Sequence, residues 1–91
     1  MSERRSQARV IVDILLTIQR EGKAKPTHIL YKANLSHKLL ASHLNSLLSK
    51  QFIEKVEERK NVFYRLTPKG SEVISEFKKM EKLALAFGLP I

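Results

Sequence analysis

The sequence predicts a mainly α-helical domain that carries one small β-hairpin, and three observations predict it. Apolar residues recur at three- and four-residue spacing within residues 10–18, 40–48 and 73–87, the pattern of helices that bury one stripe. Between residues 52 and 67 the composition turns β-branched and aromatic around a short charged segment. The chain has 91 residues, room for one modest core, and shows no internal repeat, low-complexity tract or interdomain linker. The expected organisation is one domain over 1–91, with the helices and hairpin in 6–67 and a final helix over 68–88.

Each element has its own signal. Val10, Ile11, Ile14, Leu15 and Ile18 place a first helix over about residues 6–20, and Gly22 supplies the left-handed residue that ends it. Residues 23–25 are too short to assign by pattern and are compatible with a small strand. Pro26 and Thr27 signal the next helix, with Thr27 as cap or Pro26 as first-turn residue. That helix runs to Ala33 and is followed by a tight turn at Asn34–Leu35. Ser36 then stands where its hydroxyl can accept from an orphaned backbone N–H, opening a third helix over 37–50. Leu40, Leu44, Leu47 and Leu48 form its buried stripe, and Lys38, Ser42, Asn45 and Ser49 lie opposite, with Leu39 and Ser46 beside them.

The two runs FIEKV and VFYRLT flank residues 57–61 and predict an antiparallel hairpin whose loop carries Arg59, Lys60 and Asn61. In LTPKG, Thr67 is the cap and Pro68 the first residue of a fourth helix, closed by Gly88 and Pro90. Val73, Phe77, Met80, Ala84 and Phe87 are spaced 4, 3, 4 and 3, a coiled-coil seam widened by Ile74 and Leu83. Part of this stripe must cover the chain's own core. A helix of about 20 residues nevertheless reaches about 30 Å, farther than so small a core needs. The distal part, Met80 to Phe87, is therefore the expected dimer contact, with Val73, Phe77, Met80, Leu83, Ala84 and Phe87 as interface residues.

Charge narrows the partner. Seventeen Lys and Arg against nine Asp and Glu give a net charge of +8 and a pI of about 10.1, which favours a polyanion, nucleic acid before membrane. From Ser36 to Lys50 there is no carboxylate, whereas a solvated helix usually mixes Glu with Lys. Such a face suits phosphates and base edges. Lys38, Ser42 and Asn45 are the strongest candidates for base contact, and Ser46 and Ser49 suit phosphate. His37 packs over the helix start or contacts DNA, and His43 beside the leucine stripe is better read as partly buried. Arg59, Lys60 and Asn61 are a DNA-contacting wing or a solvated turn. Arg4 and Arg5 are backbone contacts or a solubility tail.

Helix, optional strand, helix-turn-helix, hairpin, helix: this order describes a winged helix-turn-helix, in which the third helix enters a major groove and the hairpin loop reaches the flanking backbone. The segment LSHKLLASHLNSLLSKQFI, with YRLTPKG downstream, resembles the winged-helix regulators of the MarR and PadR kind. More narrowly, ILYKANLSHKLLASHLNSLL followed by YRLTPKG is similar to the archaeal 10a chromatin-protein family, over about residues 10–87. The resemblance implies a homodimer built on an antiparallel coiled coil of the last helices and bound to double-stranded DNA. It places Ser36, His37, Lys38, Leu39 and Ser42 on the recognition-helix surface and Arg59 and Lys60 at the wing tip. Two departures stand out: Gln51 occupies a position where the regulators commonly have glycine, and the final helix is short for the family's coiled coil.

Other functions fare worse. There is no cysteine, and His28, His37 and His43 have no partners at metal-ligand spacing, so no metal or cofactor is expected. Three scattered glycines build no phosphate loop, and an enzyme is not expected. No apolar run approaches membrane-spanning length and no secretory segment opens the chain, so the expected setting is the cytoplasm, at the nucleoid. The expected function is a homodimeric DNA-binding transcriptional regulator. The alternatives are a sequence-nonspecific chromatin protein, an RNA-associated winged helix and a protein-interaction module. The residues name no operator and no small-molecule effector.

Overall fold

The computed structural model describes residues 5–89 as six elements: α1 (Gln7–Glu21), α2 (Pro26–Ala33), α3 (His37–Ser49), β1 (Ile53–Glu58), β2 (Asn61–Leu66) and α4 (Pro68–Ala86). Order and type agree with the sequence reading. The helices begin where short polar side chains cap them. Ser6, Ser36 and Thr67 accept from the backbone N–H of Arg9, Leu39 and Gly70, each at 3.1 Å. Of the two options for α2, the chain uses Pro26 as its first residue, and Thr27 is inside the helix.

Three helices end alike. An amide two or three residues beyond the helix closes back on the carbonyl five residues earlier, as in Leu35 N–H to Leu30 O (3.1 Å), Phe52 N–H to Leu47 O (3.0 Å) and Leu89 N–H to Ala84 O (2.8 Å). The residue preceding each of these amides has positive φ: Asn34 (56°), Gln51 (63°) and Gly88 (69°). Gln51 thus adopts the conformation that glycine would take freely, so the exit of α3 keeps its geometry at a steric cost.

The hairpin is tighter than expected. β1 and β2 pair antiparallel from Ile53↔Leu66 to Glu58↔Asn61, leaving only Arg59 and Lys60 in the turn rather than residues 57–61. Both have positive φ, 48° and 70°, the conformation a two-residue turn needs to match strand twist. Residues 23–25 contribute a single bridge: Ala24 exchanges two backbone bonds with Tyr64, at 2.9 and 2.8 Å, and gives the sheet a short third edge.

The core gathers Ile14, Leu15 and Ile18 of α1, Ile29 and Ala33 of α2, Leu40, Leu44 and Leu47 of α3, Ile53 and Tyr64 of the hairpin and Ile74 of α4. The YRLTPKG segment is the junction where α3, hairpin and α4 meet. Thr67 donates its hydroxyl to Gln51 O (2.6 Å) and its amide to Phe52 O (3.1 Å). A Cβ on Gly70 would lie 2.0 Å from the same Phe52 oxygen. Glycine is there because α4 starts against backbone, with no room for a side chain.

α4 is divided along its length. Gly70, Ile74 and Phe77 are buried, and beyond Phe77 no residue of the helix is. At 9% exposure, Phe77 is already covered within one chain, so little of it remains for the interface it was expected to join.

Candidate nucleic-acid interface

α3 turns its leucine stripe inward, and its opposite side is open. Lys38, Ser42, Asn45 and Ser49 are all exposed, and so is His37. Leu39 stands 45% exposed among these polar neighbours. His43 is half-buried, as expected, and so is Ser46, whose hydroxyl accepts from Lys50 Nζ at 3.1 Å. The Ser36 hydroxyl caps α3, which commits one of its two lone pairs and leaves its proton to donate. The outer face thus presents one ammonium, an amide and three exposed hydroxyl or imidazole groups, with no carboxylate on the helix to repel phosphate.

At the wing, Arg59, Lys60 and Asn61 are exposed at the turn. Of the two strand acids beside the turn, Glu58 pairs with Lys23 and Glu57 is in no ion pair among the described residues, while at the far end of the hairpin Glu54 pairs with its cross-strand neighbour Arg65. The turn guanidinium and ammonium are in no such pair among the described residues.

The N-terminal arginines fall differently. Arg4 lies outside the described residues. Arg5 is occupied within the chain: it pairs with Asp13 at 2.7 Å and donates to the carbonyls of Ala33 (2.6 Å) and Asn34 (3.4 Å). Its guanidinium caps the end of α2, where orphan carbonyls need donors, instead of standing free for a phosphate.

The absence of acid extends well beyond α3. From Gly22 to Ile53 there is no Asp or Glu, while Lys23, Lys25, Lys32, Lys38 and Lys50 occur. On α2 this run exposes Tyr31, 81% accessible, beside Lys32. The sequence reading singled out neither, although counting carboxylates over the longer window would have found both.

The second open surface is apolar. Met80 (55% exposed), Leu83 (61%), Leu85 (69%), Phe87 (73%) and Leu89 (56%) line the end of α4 and the residues after it. Leu85 and Leu89 were not among the expected interface residues. Val73 and Ala84 are half-buried. Among the described residues no three His, Cys, Asp or Glu side chains gather where a metal ion could be held, and no helix is long and apolar enough to cross a membrane.

A family model described as winged helix-turn-helix matches residues 4–85. Two uncharacterized proteins of Methanocaldococcus jannaschii are similar in sequence. One is 34% identical over 77 residues, covering 85% of this chain and 74% of the relative. The other is 30% identical over 82 residues, 90% of this chain but only 36% of the relative, so the chain spans about a third of that longer protein. The fold is similar to the crystal structure of Sso10a-2, a DNA-binding protein from Sulfolobus solfataricus. The TM-score is 0.79 at 20% identity, over 91% of this chain and 85% of that one.

Proposed function

This chain belongs to the winged helix-turn-helix family, and from that premise we propose that it binds double-stranded DNA as a homodimer and acts as a transcriptional regulator. The observation that carries the reading is the exposed, carboxylate-free face of α3, with Lys38, Ser42 and Asn45 opposite the buried leucines. α3 docks in the major groove, where Asn45 and Ser42 meet base edges and Lys38 meets phosphate or guanine. Arg59, Lys60 and Asn61 reach the flanking backbone from the wing, and Ser46 and Ser49 hold phosphates from the side of α3. Two copies join through the apolar end of α4, which places two weak contacts on one duplex at high effective concentration.

The test is duplex titration of the wild type and Ser42→Glu across a salt series. The wild type should bind, with affinity falling steeply as salt rises. Ser42→Glu should remain folded, because position 42 is exposed, and should lose binding by about two orders of magnitude, as a carboxylate would face phosphates and base acceptors. Normal binding by the folded variant would remove α3 from the interface. Selection from random duplexes then separates a regulator, which enriches a palindrome, from a chromatin protein, which recovers all sequences alike.

A further inference from the structure

We infer that Glu81, Arg9, Asp13 and Arg5 form a relay that positions the helix-turn-helix turn according to the placement of α4. The inference rests on the proposed function only in what it says of DNA affinity. The relay begins at Glu81, between Met80 and Leu83 of the apolar end of α4, whose Oε2 accepts from Arg9 Nη1 at 3.0 Å. Arg9 Nε faces Asp13 Oδ1 at 3.3 Å. The other oxygen of Asp13 accepts from Arg5 Nη1 at 2.7 Å, and Arg5 Nη2 donates to Ala33 O and Asn34 O at 2.6 and 3.4 Å. Charges alternate in sign along the whole path from the end of α4 to the turn that sets α3.

Three features make this a positioning device instead of a set of solvated pairs. Both oxygens of Asp13 are taken by different arginines, so neither guanidinium can reorient without disturbing the other. Arg9 is a fork: one nitrogen faces Asp13 and another faces Glu81, while its carbon lies 5.8 Å from the centre of the Phe77 ring. All four side chains are only 22–37% exposed, which screens them less than open surface pairs. At the far end, Arg5 satisfies carbonyls of α2 at the residue, Asn34, where the chain turns left-handed toward α3. Pairing of two α4 ends would hold Glu81 in place, and the relay would pass that restraint to the turn. Dimer formation and duplex binding then favour one another.

The decisive measurement is amide hydrogen exchange at Asn34 and Leu35, whose N–H groups close the end of α2. In Glu81→Gln their protection should fall about three- to fivefold, while amides paired between β1 and β2 stay unchanged. Arg9→Lys keeps the charge but loses the fork, and should give the same loss. The double variant Arg5→Gln/Glu81→Gln should lose no more than the worse single one, because both cut one path. Unchanged protection in Glu81→Gln and Arg9→Lys, or additive losses in the double variant, would overturn the relay.

Duplex titration supplies a readout of opposite sign. Removing a carboxylate raises the net charge, which by itself tightens binding to DNA. The relay makes Glu81→Gln bind about two- to fivefold more weakly, and a tighter complex would overturn its influence on binding. A wild type that ignores duplex would sink the proposed function alone, since exchange at the turn needs no DNA.

Discussion

α3 and the distal half of α4 are both amphipathic helical segments with an uncovered side, and the chemistry of those sides is opposite. α3 exposes Lys38, Ser42, Asn45 and Ser49, groups that water satisfies, so nothing forces a partner upon them. What distinguishes the face is the missing carboxylate, a signal of charge. Distal α4 exposes Met80, Leu83, Leu85 and Phe87, which water does not satisfy. An apolar stripe of this kind implies a covering surface whatever its sequence. One face is therefore read by what it would attract, and the other by what it would avoid.

Gly70→Ala breaks the comparison at its root, because Gly70 sits where both helices are anchored. The new methyl would meet Phe52 O at 2.0 Å, and the start of α4 would have to leave the exit of α3. A loss of about 3 kcal/mol or more is expected as a lowered urea midpoint. An unchanged midpoint would show that the junction yields freely.

Phe87→Glu addresses the apolar face alone. Sedimentation should report a monomer at tens of micromolar, where a dimer is expected of the wild type, with the circular dichroism of the wild type retained. Duplex affinity should fall about tenfold to a hundredfold as avidity is lost. A wild type that sediments as a monomer would leave the end of α4 without the partner proposed for it.

The polar side is sharpened at the wing. Arg59→Asn with Lys60→Gly removes both charges yet supplies the residues that a turn with two positive φ values prefers. The slope of log affinity against log salt should flatten by about one or two units, equally for all duplexes. An unaltered slope would confine DNA contact to the helices. The smallest effect belongs to Gln51→Gly, which should stabilise the fold by about 0.5–1 kcal/mol by relieving the left-handed residue, without changing affinity.

Much of this was legible in the residue order. Caps and breakers are local: Ser6, Ser36 and Thr67 cap helices because their side chains reach amides three residues away. The leucine stripe of α3 follows from helical spacing, and the same arithmetic makes Lys38, Ser42 and Asn45 outward-facing. Arg5 was not legible. Its partners Ala33 and Asn34 lie 28 and 29 residues away, and no local pattern announces an arginine that will cap another helix. Glu81 carries no local signal either: the crossing of α1 and α4 brings it to Arg9, 72 residues distant.

The division of α4 shows where sequence stops and tertiary structure begins. The 4-3-4-3 spacing by itself determined that one stripe of the helix is apolar, because backbone geometry fixes which residues share a face. It could not say where along the stripe the chain's own core ends. That was decided by the seating of Gly70 against Phe52, which fixes where α4 begins, and by the burial of Ile74 and Phe77 against the rest of the fold. A helical period repeats identically along its length, whereas the reach of a core depends on the volume that the other elements enclose.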